Sequence, residues 1–257
     1  MPPLTLNTYL ILCPMLFLAA FIDSAAGGGG LISIPSYIVA GFPVHFAQGT
    51  NKFTSGASAL FSSIRYFRGG KVALSPALFA SAGALSGSWA GVKIALFLSN
   101  EVFQAVLLVL LPAVGVFVIF YQEKISVRQE SLALPVGKRN TLSVVIGFFI
   151  GVYEGFFGAG SGTFLILAFN MILGLELLTA CGSARVVNMA ANMASLLIFM
   201  LNGKVFWEVA LPCALFSIAG GQLGTRLAVS KGAKFIRPAM ALIVALLFTK
   251  LLYEFLF

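Results

Sequence analysis

Charged residues are scarce in this sequence: Asp, Glu, Lys and Arg make up 9% of its 257 residues, whereas hydrophobic residues make up 60%. Soluble domains contain roughly 25% charged residues. The mean hydropathy of +1.02 points the same way. This composition excludes an ordinary soluble domain and predicts an integral membrane protein. Apolar runs such as 102–121 and 238–257 are long enough for helices that cross the hydrocarbon of a bilayer.

Cysteine and histidine are also rare. Cys13, Cys181 and Cys213 lie in separate apolar segments without metal-ligand or redox spacing, so we expect them to be small buried hydrophobes. His45, the single histidine, stands beside Pro43 and is expected to be a surface residue of an outer loop rather than a proton switch. With so few catalytic groups, the sequence predicts a protein that is not an enzyme and needs no metal or cofactor.

Basic residues exceed acidic ones, and the formal net charge is +8. They lie mainly in short loops between apolar spans, which favours a membrane protein with basic cytoplasmic loops over a nucleic-acid-binding protein. If residues 122–140 face the cytoplasm, both termini are predicted to lie outside it. The location indicated is the inner cell membrane. The N-terminal apolar segment lacks a preceding Lys or Arg, so we expect it to be retained rather than cleaved.

Two glycine-rich elements interrupt apolar segments. Residues 23–30 read Asp-Ser-Ala-Ala-Gly-Gly-Gly-Gly, and residues 154–162 read Glu-Gly-Phe-Phe-Gly-Ala-Gly-Ser-Gly. In both, an acidic residue is followed four places later by glycine. Non-helical backbone is tolerated at membrane depth only where protein or a water-filled cavity surrounds it. The elements therefore predict two broken or re-entrant helices beside a cavity.

The two halves of the sequence align with each other. An offset of about 131 pairs Asp23 with Glu154, and an offset of about 133 pairs Lys52 with Arg185. The pieces 31–40 and 163–173 are too short to span a bilayer. The predicted fold is an all-α integral membrane protein with two inverted-topology repeats, each a broken or re-entrant helix hairpin plus three transmembrane helices. The repeats are residues 1–121 and 141–257, joined by a cytoplasmic loop at 122–140.

Lys52 and Arg185 occupy matching positions in otherwise apolar segments. An ionisable group near the bilayer centre costs at least about 2.5–3.5 kcal/mol, so it normally faces a partner or a cavity. One interpretation is an anion clamp. The alternatives are that each basic side chain snorkels to an interface, or pairs with Asp23 or Glu154. The two carboxylates could relay protons or organise the basic residues, and both interpretations stay open.

Backbone and side-chain donors surround this basic pair. Glycine lets backbone N–H groups approach a ligand, and a short helix points its positive end at an anion. Other nearby polar side chains could donate hydrogen bonds to an oxyanion. The predicted substrate-binding residues are Lys52, Arg185, Gly28, Gly29, Gly30, Gly160, Ser161, Gly162, Gln48, Thr50, Asn51 and Ser183.

One motif reads Asp-Ser-Ala-Ala-Gly-Gly-Gly-Gly-Leu-Ile-Ser-Ile-Pro at 23–35, and another reads Ala-Gln-Gly-Thr-Asn-Lys at 47–52. These two motifs and their second-half counterparts resemble the TauE/SafE sulfite exporter family. The second half departs with Cys181 and with Ser-Ala-Arg at 183–185. The resemblance implies a permease for sulfite or small organosulfonate anions, and we expect export by alternating access. The expected partners are a small sulfite-like anion and the lipid bilayer, without nucleic acid, and a homodimer stays open. A scaffold that moves no solute is the alternative.

Overall fold

The computed structural model of the chain describes residues 5–107, 109–110 and 135–232. This part contains α-helices and connecting turns without a β-strand, so the prediction of an all-helical protein is confirmed for it. The helices are α1 Leu6–Ala26, α2 Gly30–Val39, α3 Val44–Arg68, α4 Leu74–Phe97, α5 Asn100–Leu107, α6 Val136–Phe156, α7 Ser161–Met171, α8 Leu177–Leu201 and α9 Trp207–Lys231. The predicted span 238–257 and most of the predicted loop 122–140 lie outside the described residues. The last five residues of that loop already belong to α6.

Length and apolarity identify α1 and α8 as helices that can each cross a membrane. Helices α4 and α5 meet at a bend of 119° and together give a third candidate span. Helices α2 and α7 are apolar but contain only 10 and 11 residues. They coincide, within two residues at each end, with the two short pieces predicted from the sequence.

Helix α3 buries many of its polar side chains and exposes several of its large apolar ones. Its buried residues include Lys52, Thr54 and Ser58, whereas Leu60 and Phe61 are more than 40% exposed. Soluble helices show the opposite arrangement, since apolar burial drives their folding. Apolar exposure around a polar interior suits a protein whose outer surface meets lipid.

Helices of the first half pack against helices of the second half in corresponding pairs. Helix α4 packs along α6, and α1 packs along α9, while α3 and α8 contact each other at the centre. Glycines allow the two outer pairs to approach closely: a Cβ on Gly147 would lie 1.9 Å from the Ala80 carbonyl oxygen, and one on Gly220 would lie 2.1 Å from that of Phe17. Glycines at four-residue spacing, Gly83, Gly87 and Gly91 in α4 and Gly147, Gly151 and Gly155 in α6, allow the backbones of these two helices to pack closely.

His45 is buried, so its prediction as a surface residue was wrong. It lies in the first turn of α3, where its Nδ1 lies 2.7 Å from the Asn100 Oδ1 and its Nε2 lies 2.9 Å from the Ala95 carbonyl oxygen. The bend between α4 and α5 supplies both partners, which a reading of the local sequence around Pro43 does not reveal. The prediction that the cysteines are buried is confirmed, and the Sγ atoms of Cys13 and Cys213 lie 3.9 Å apart.

Candidate functional site

The two helix breaks cross each other at the centre of the protein. Gly27 ends α1 with φ 81°, and Gly160 precedes α7 with φ 82°, a left-handed conformation that favours glycine. A Cβ on Gly27 would lie 2.3 Å from the carbonyl carbon of Gly162. Thr163 donates its N–H to the Gly27 carbonyl at 3.1 Å and its hydroxyl to the Ala26 carbonyl at 2.9 Å. Each break is therefore held by the other.

Each carboxylate lies at the start of the short helix that follows its own break. Asp23 accepts the N–H of Gly29 at 2.9 Å, and Glu154 accepts the hydroxyl of Ser161. Negative charge is favourable at a helix N-terminus. These donors, which the sequence assigned to a substrate anion, are therefore engaged by the protein's own carboxylates.

The remaining predicted glycines lie at the same crossing and allow close contact there. A Cβ on Gly30 would lie 2.8 Å from the Ala159 Cα, and one on Gly162 would lie 2.7 Å from the Gly27 Cα. Gly28 and Gly160 are buried in the two breaks. The structure thus brings all six residues of the predicted N–H cluster together, and their binding of an anion stays a prediction.

Two ion pairs connect the halves reciprocally. Lys52 Nζ lies 2.8 Å from Glu154 Oε1, and Arg185 Nη2 lies 2.6 Å from Asp23 Oδ2. Each pair takes its base from one half and its acid from the other. The alternative that the basic residues pair with Asp23 and Glu154 is therefore confirmed, while the anion clamp stays a prediction.

The two pairs differ in their access to solvent. The Lys52 side chain is 0% exposed and also donates to the backbone carbonyl of Glu154, whose side chain is 6% exposed. In the other pair the Arg185 side chain is 4% exposed, but the Asp23 side chain is 18% exposed. Lys52–Glu154 is a sealed pair, and Arg185–Asp23 is an accessible one.

A small cavity explains the exposure of Asp23. It has space for about one water molecule and is partly open to the outside. Its lining consists of Asp23, Gly29, Ser33, Ser55, Ser58 and Ser217 together with the apolar Leu16, Ala19 and Ala20. The Ser33 hydroxyl is buried and has no hydrogen-bond partner among the described residues. The Ser55 hydroxyl donates to Asn51 Oδ1 at 3.2 Å, which connects one further predicted residue to the cavity.

The sequence reasoning missed these serines. Two of them, Ser55 and Ser58, lie with the neighbouring Ser62 on one face of α3, and this spacing is the signal that could have found them. The residues aligned with Ser33, Ser55 and Ser58 in the second half are Phe164, Asn188 and Ala191. These three serines are therefore specific to the first half, whereas the lining residue Ser217 belongs to α9 in the second half.

Gln48 and Cys181, which align in the two halves, reach across to opposite breaks. Gln48 Nε2 donates to the Phe157 carbonyl at 3.0 Å, and Cys181 Sγ lies 3.4 Å from the Ala25 carbonyl oxygen. The Gln48 Oε1 is buried without a hydrogen-bond partner in the described part of the chain. Gln48 is thus close to the second break, as expected for a residue near the site.

Thr50 and Ser183 also align, and each accepts a hydrogen bond from the residue that precedes a helix of the other half. The Thr50 hydroxyl oxygen accepts the N–H of Phe206 at 3.1 Å, just before α9. The Ser183 hydroxyl oxygen accepts the N–H of Ala73 at 2.9 Å, just before α4. These contacts give both residues a structural role that the sequence did not indicate, and substrate binding by them stays a prediction.

Comparisons with known proteins agree on a family. The family described as "Sulfite exporter TauE/SafE" matches residues 12–251. The chain is 31% identical over 260 residues to "Probable membrane transporter protein YfcA" of Escherichia coli, covering 97% of this chain and 94% of the relative. It is 32% identical to a probable membrane transporter protein of Haemophilus influenzae, with 93% and 92% coverage. It is 34% identical to one from Sinorhizobium, with 93% and 90% coverage. No solved structure matches significantly.

Proposed function

Because the chain belongs to the TauE/SafE family of membrane transporters, we propose that it is a permease that exports a small sulfur oxyanion, sulfite or an organosulfonate, across the inner membrane. The observation that carries this proposal is the position of the Arg185–Asp23 pair beside the serine-lined cavity. An arginine binds oxyanions through two parallel N–H donors, and serine hydroxyls add further ones. The substrate anion would take the place of the Asp23 carboxylate on Arg185.

Asp23 controls whether Arg185 is available to that anion. While Asp23 is ionised, its carboxylate occupies the guanidinium at 2.6 Å and repels a second anion. Protonation through the cavity removes this competitor and leaves the positive charge of Arg185 for the substrate. This proposal gives Asp23 the proton-coupling role. Glu154, which is buried in its ion pair with Lys52, has the role of holding the site together.

Alternating access between inverted repeats is part of the same proposal. It is supported by the equivalent helix packing of the two halves and by the ion pairs that join them. The repeats would be residues 1–121 and 141–257. Rocking of one against the other would open the path on alternate sides while the crossed breaks remain at the centre. In a cell with a negative interior, export gains about 2.3 kcal/mol per negative charge at 100 mV.

Sulfite flux into and out of proteoliposomes, at fixed pH and voltage, tests the proposal. We expect the protein to carry sulfite and methanesulfonate faster than acetate, and empty liposomes to carry neither. Arg185→Gln should lower sulfite flux roughly ten- to hundred-fold, since a hydrogen bond to a charged group contributes about 1.5–3 kcal/mol. Arg226→Gln, a matched change on the exposed side of α9, should leave flux unchanged.

Equal flux of sulfite and acetate would overturn the substrate class. Full flux in folded Arg185→Gln would overturn the assignment of the site. The alternative function, a scaffold that moves no solute, is not favoured by the packing. The glycines that would serve it, such as Gly87 and Gly151, already contact neighbouring helices within the chain.

A further inference from the structure

Basic residues collect at one end of the helix bundle. Three hydrogen bonds place the ends of α3 and α9 beside the starts of α4, α6 and α8. They join Arg65 to Gln222, Ala73 to Ser183 and Ser75 to Asn140. This end carries Arg65, Arg68, Lys71, Arg139, Arg226 and Lys231. Glu176, beside Lys71, partly offsets them. The end as a whole is strongly positive.

A cleft between α3 and α9 opens at this end. It contains about 850 Å³ of empty space, which includes its wide opening, and its lining is Phe61, Ile64, Arg65, Arg68 and Gln222. Arg65 Nε donates to Gln222 Oε1 at 2.6 Å, which fixes the guanidinium and leaves its terminal N–H groups for another acceptor. Neither arginine forms an ion pair with an acidic residue of the described chain.

Along the axis of α3, the cleft has an apolar part followed by a basic part. Phe61 and Ile64 are 43% and 42% exposed, and they lie about one helical turn before Arg65 and Arg68 on the same face of α3. A soluble anion would contact the arginines alone. A ligand with an anionic head and an apolar tail would contact both levels.

We propose that this cleft is a specific binding site for an anionic phospholipid. Arg65 and Arg68 bind the headgroup phosphate, and Phe61 and Ile64 contact an acyl chain. Juxtamembrane basic groups attract anionic lipid, and guanidinium groups suit phosphate geometry. This site is separate from the Arg185–Asp23 pair and does not depend on the substrate of the permease.

Native mass spectrometry of the full-length protein in detergent tests the site with phosphatidylglycerol, phosphatidylcholine and soluble glycerol phosphate. We expect phosphatidylglycerol to bind at least roughly five-fold more tightly than phosphatidylcholine. The double variant Arg65→Gln/Arg68→Gln should lose most of this preference. The control Lys93→Gln/Lys204→Gln removes the same charge at the other end and should keep it.

Phe61→Ser separates a lipid from a free anion. It should weaken phosphatidylglycerol binding several-fold without changing the binding of glycerol phosphate. Glycerol phosphate that binds as tightly as phosphatidylglycerol would overturn the lipid as occupant. Equal losses in the arginine and lysine variants would overturn the specific site in favour of a general charge effect. Gel filtration and thermal melting confirm that each variant compared is folded.

Discussion

The two ion pairs at the centre of this protein occupy equivalent positions but differ in access. Lys52 and Glu154 are sealed from solvent, whereas Arg185 holds an Asp23 carboxylate that borders a cavity. Side-chain length contributes to this difference. The longer Glu154 reaches both Lys52 and Ser161, while the shorter Asp23 binds Arg185 and the N–H of Gly29. Two ion pairs at aligned positions of the chain can therefore differ in how far solvent reaches them.

The largest expected effect comes from breaking the sealed pair. Lys52→Met leaves the Glu154 charge buried without its partner, and we expect it to lower the free energy of unfolding by about 3–5 kcal/mol. Arg185→Met should cost less, about 1–3 kcal/mol, because the cavity can hydrate Asp23. Unfolding of both variants in a mixed-detergent titration measures this difference.

A double variant provides the control. Lys52→Met/Glu154→Gln removes both charges and should recover most of the loss, because a buried pair is costly mainly when only one partner remains. If Arg185→Met destabilises the protein as much as Lys52→Met, the distinction between a sealed and an accessible pair is wrong.

The next effect concerns pH. Methanesulfonate stays ionised across the neutral range, so any pH dependence of its binding belongs to the protein. We expect wild-type affinity to fall as pH rises, because ionised Asp23 competes for Arg185, with a limit of about tenfold per pH unit for one proton. Asp23→Asn should flatten this dependence, and Glu154→Gln should retain it.

Isothermal titration calorimetry with methanesulfonate at several pH values measures these affinities. Loss of the pH dependence in Glu154→Gln but not in Asp23→Asn would reverse the roles proposed for the two carboxylates. Each variant must first elute as folded protein, because Glu154→Gln leaves Lys52 without its charged partner.

The smallest effect distinguishes two serines. Ser33→Ala removes a hydroxyl that has no partner in the described chain, so stability should change by less than about 0.5 kcal/mol while sulfite binding weakens two- to tenfold, about 0.5–1.5 kcal/mol. Ser161→Ala removes the hydroxyl that binds Glu154 and should cost about 1 kcal/mol of stability without weakening binding. Thermal melting and calorimetry of both variants make the comparison. The opposite pattern would move the substrate to the second break.

The lengths of the apolar runs were sufficient to predict the short helices, and the alignment of the two halves was sufficient to pair Lys52 with Arg185. Neither could predict which acid each base contacts, because that depends on how the breaks cross in three dimensions. Thr50 and Ser183 illustrate the same limit, since their partners lie more than 100 residues away along the chain. The sequence did not predict the serines that line the cavity, because serine in an apolar helix is common in tight packing. Only the neighbouring helices determine whether space remains beside such a serine.

The crossing of the breaks bears on how such a protein could have arisen. Thr163 of one half completes the backbone hydrogen bonding of Ala26 and Gly27 in the other, so neither half contains a finished centre. If the halves are inverted repeats, as proposed, a primitive chain of half this length would have needed a second copy of itself in the opposite orientation before it could work. Fusion would then have fixed that stoichiometry and allowed the two copies of the ion pair to diverge.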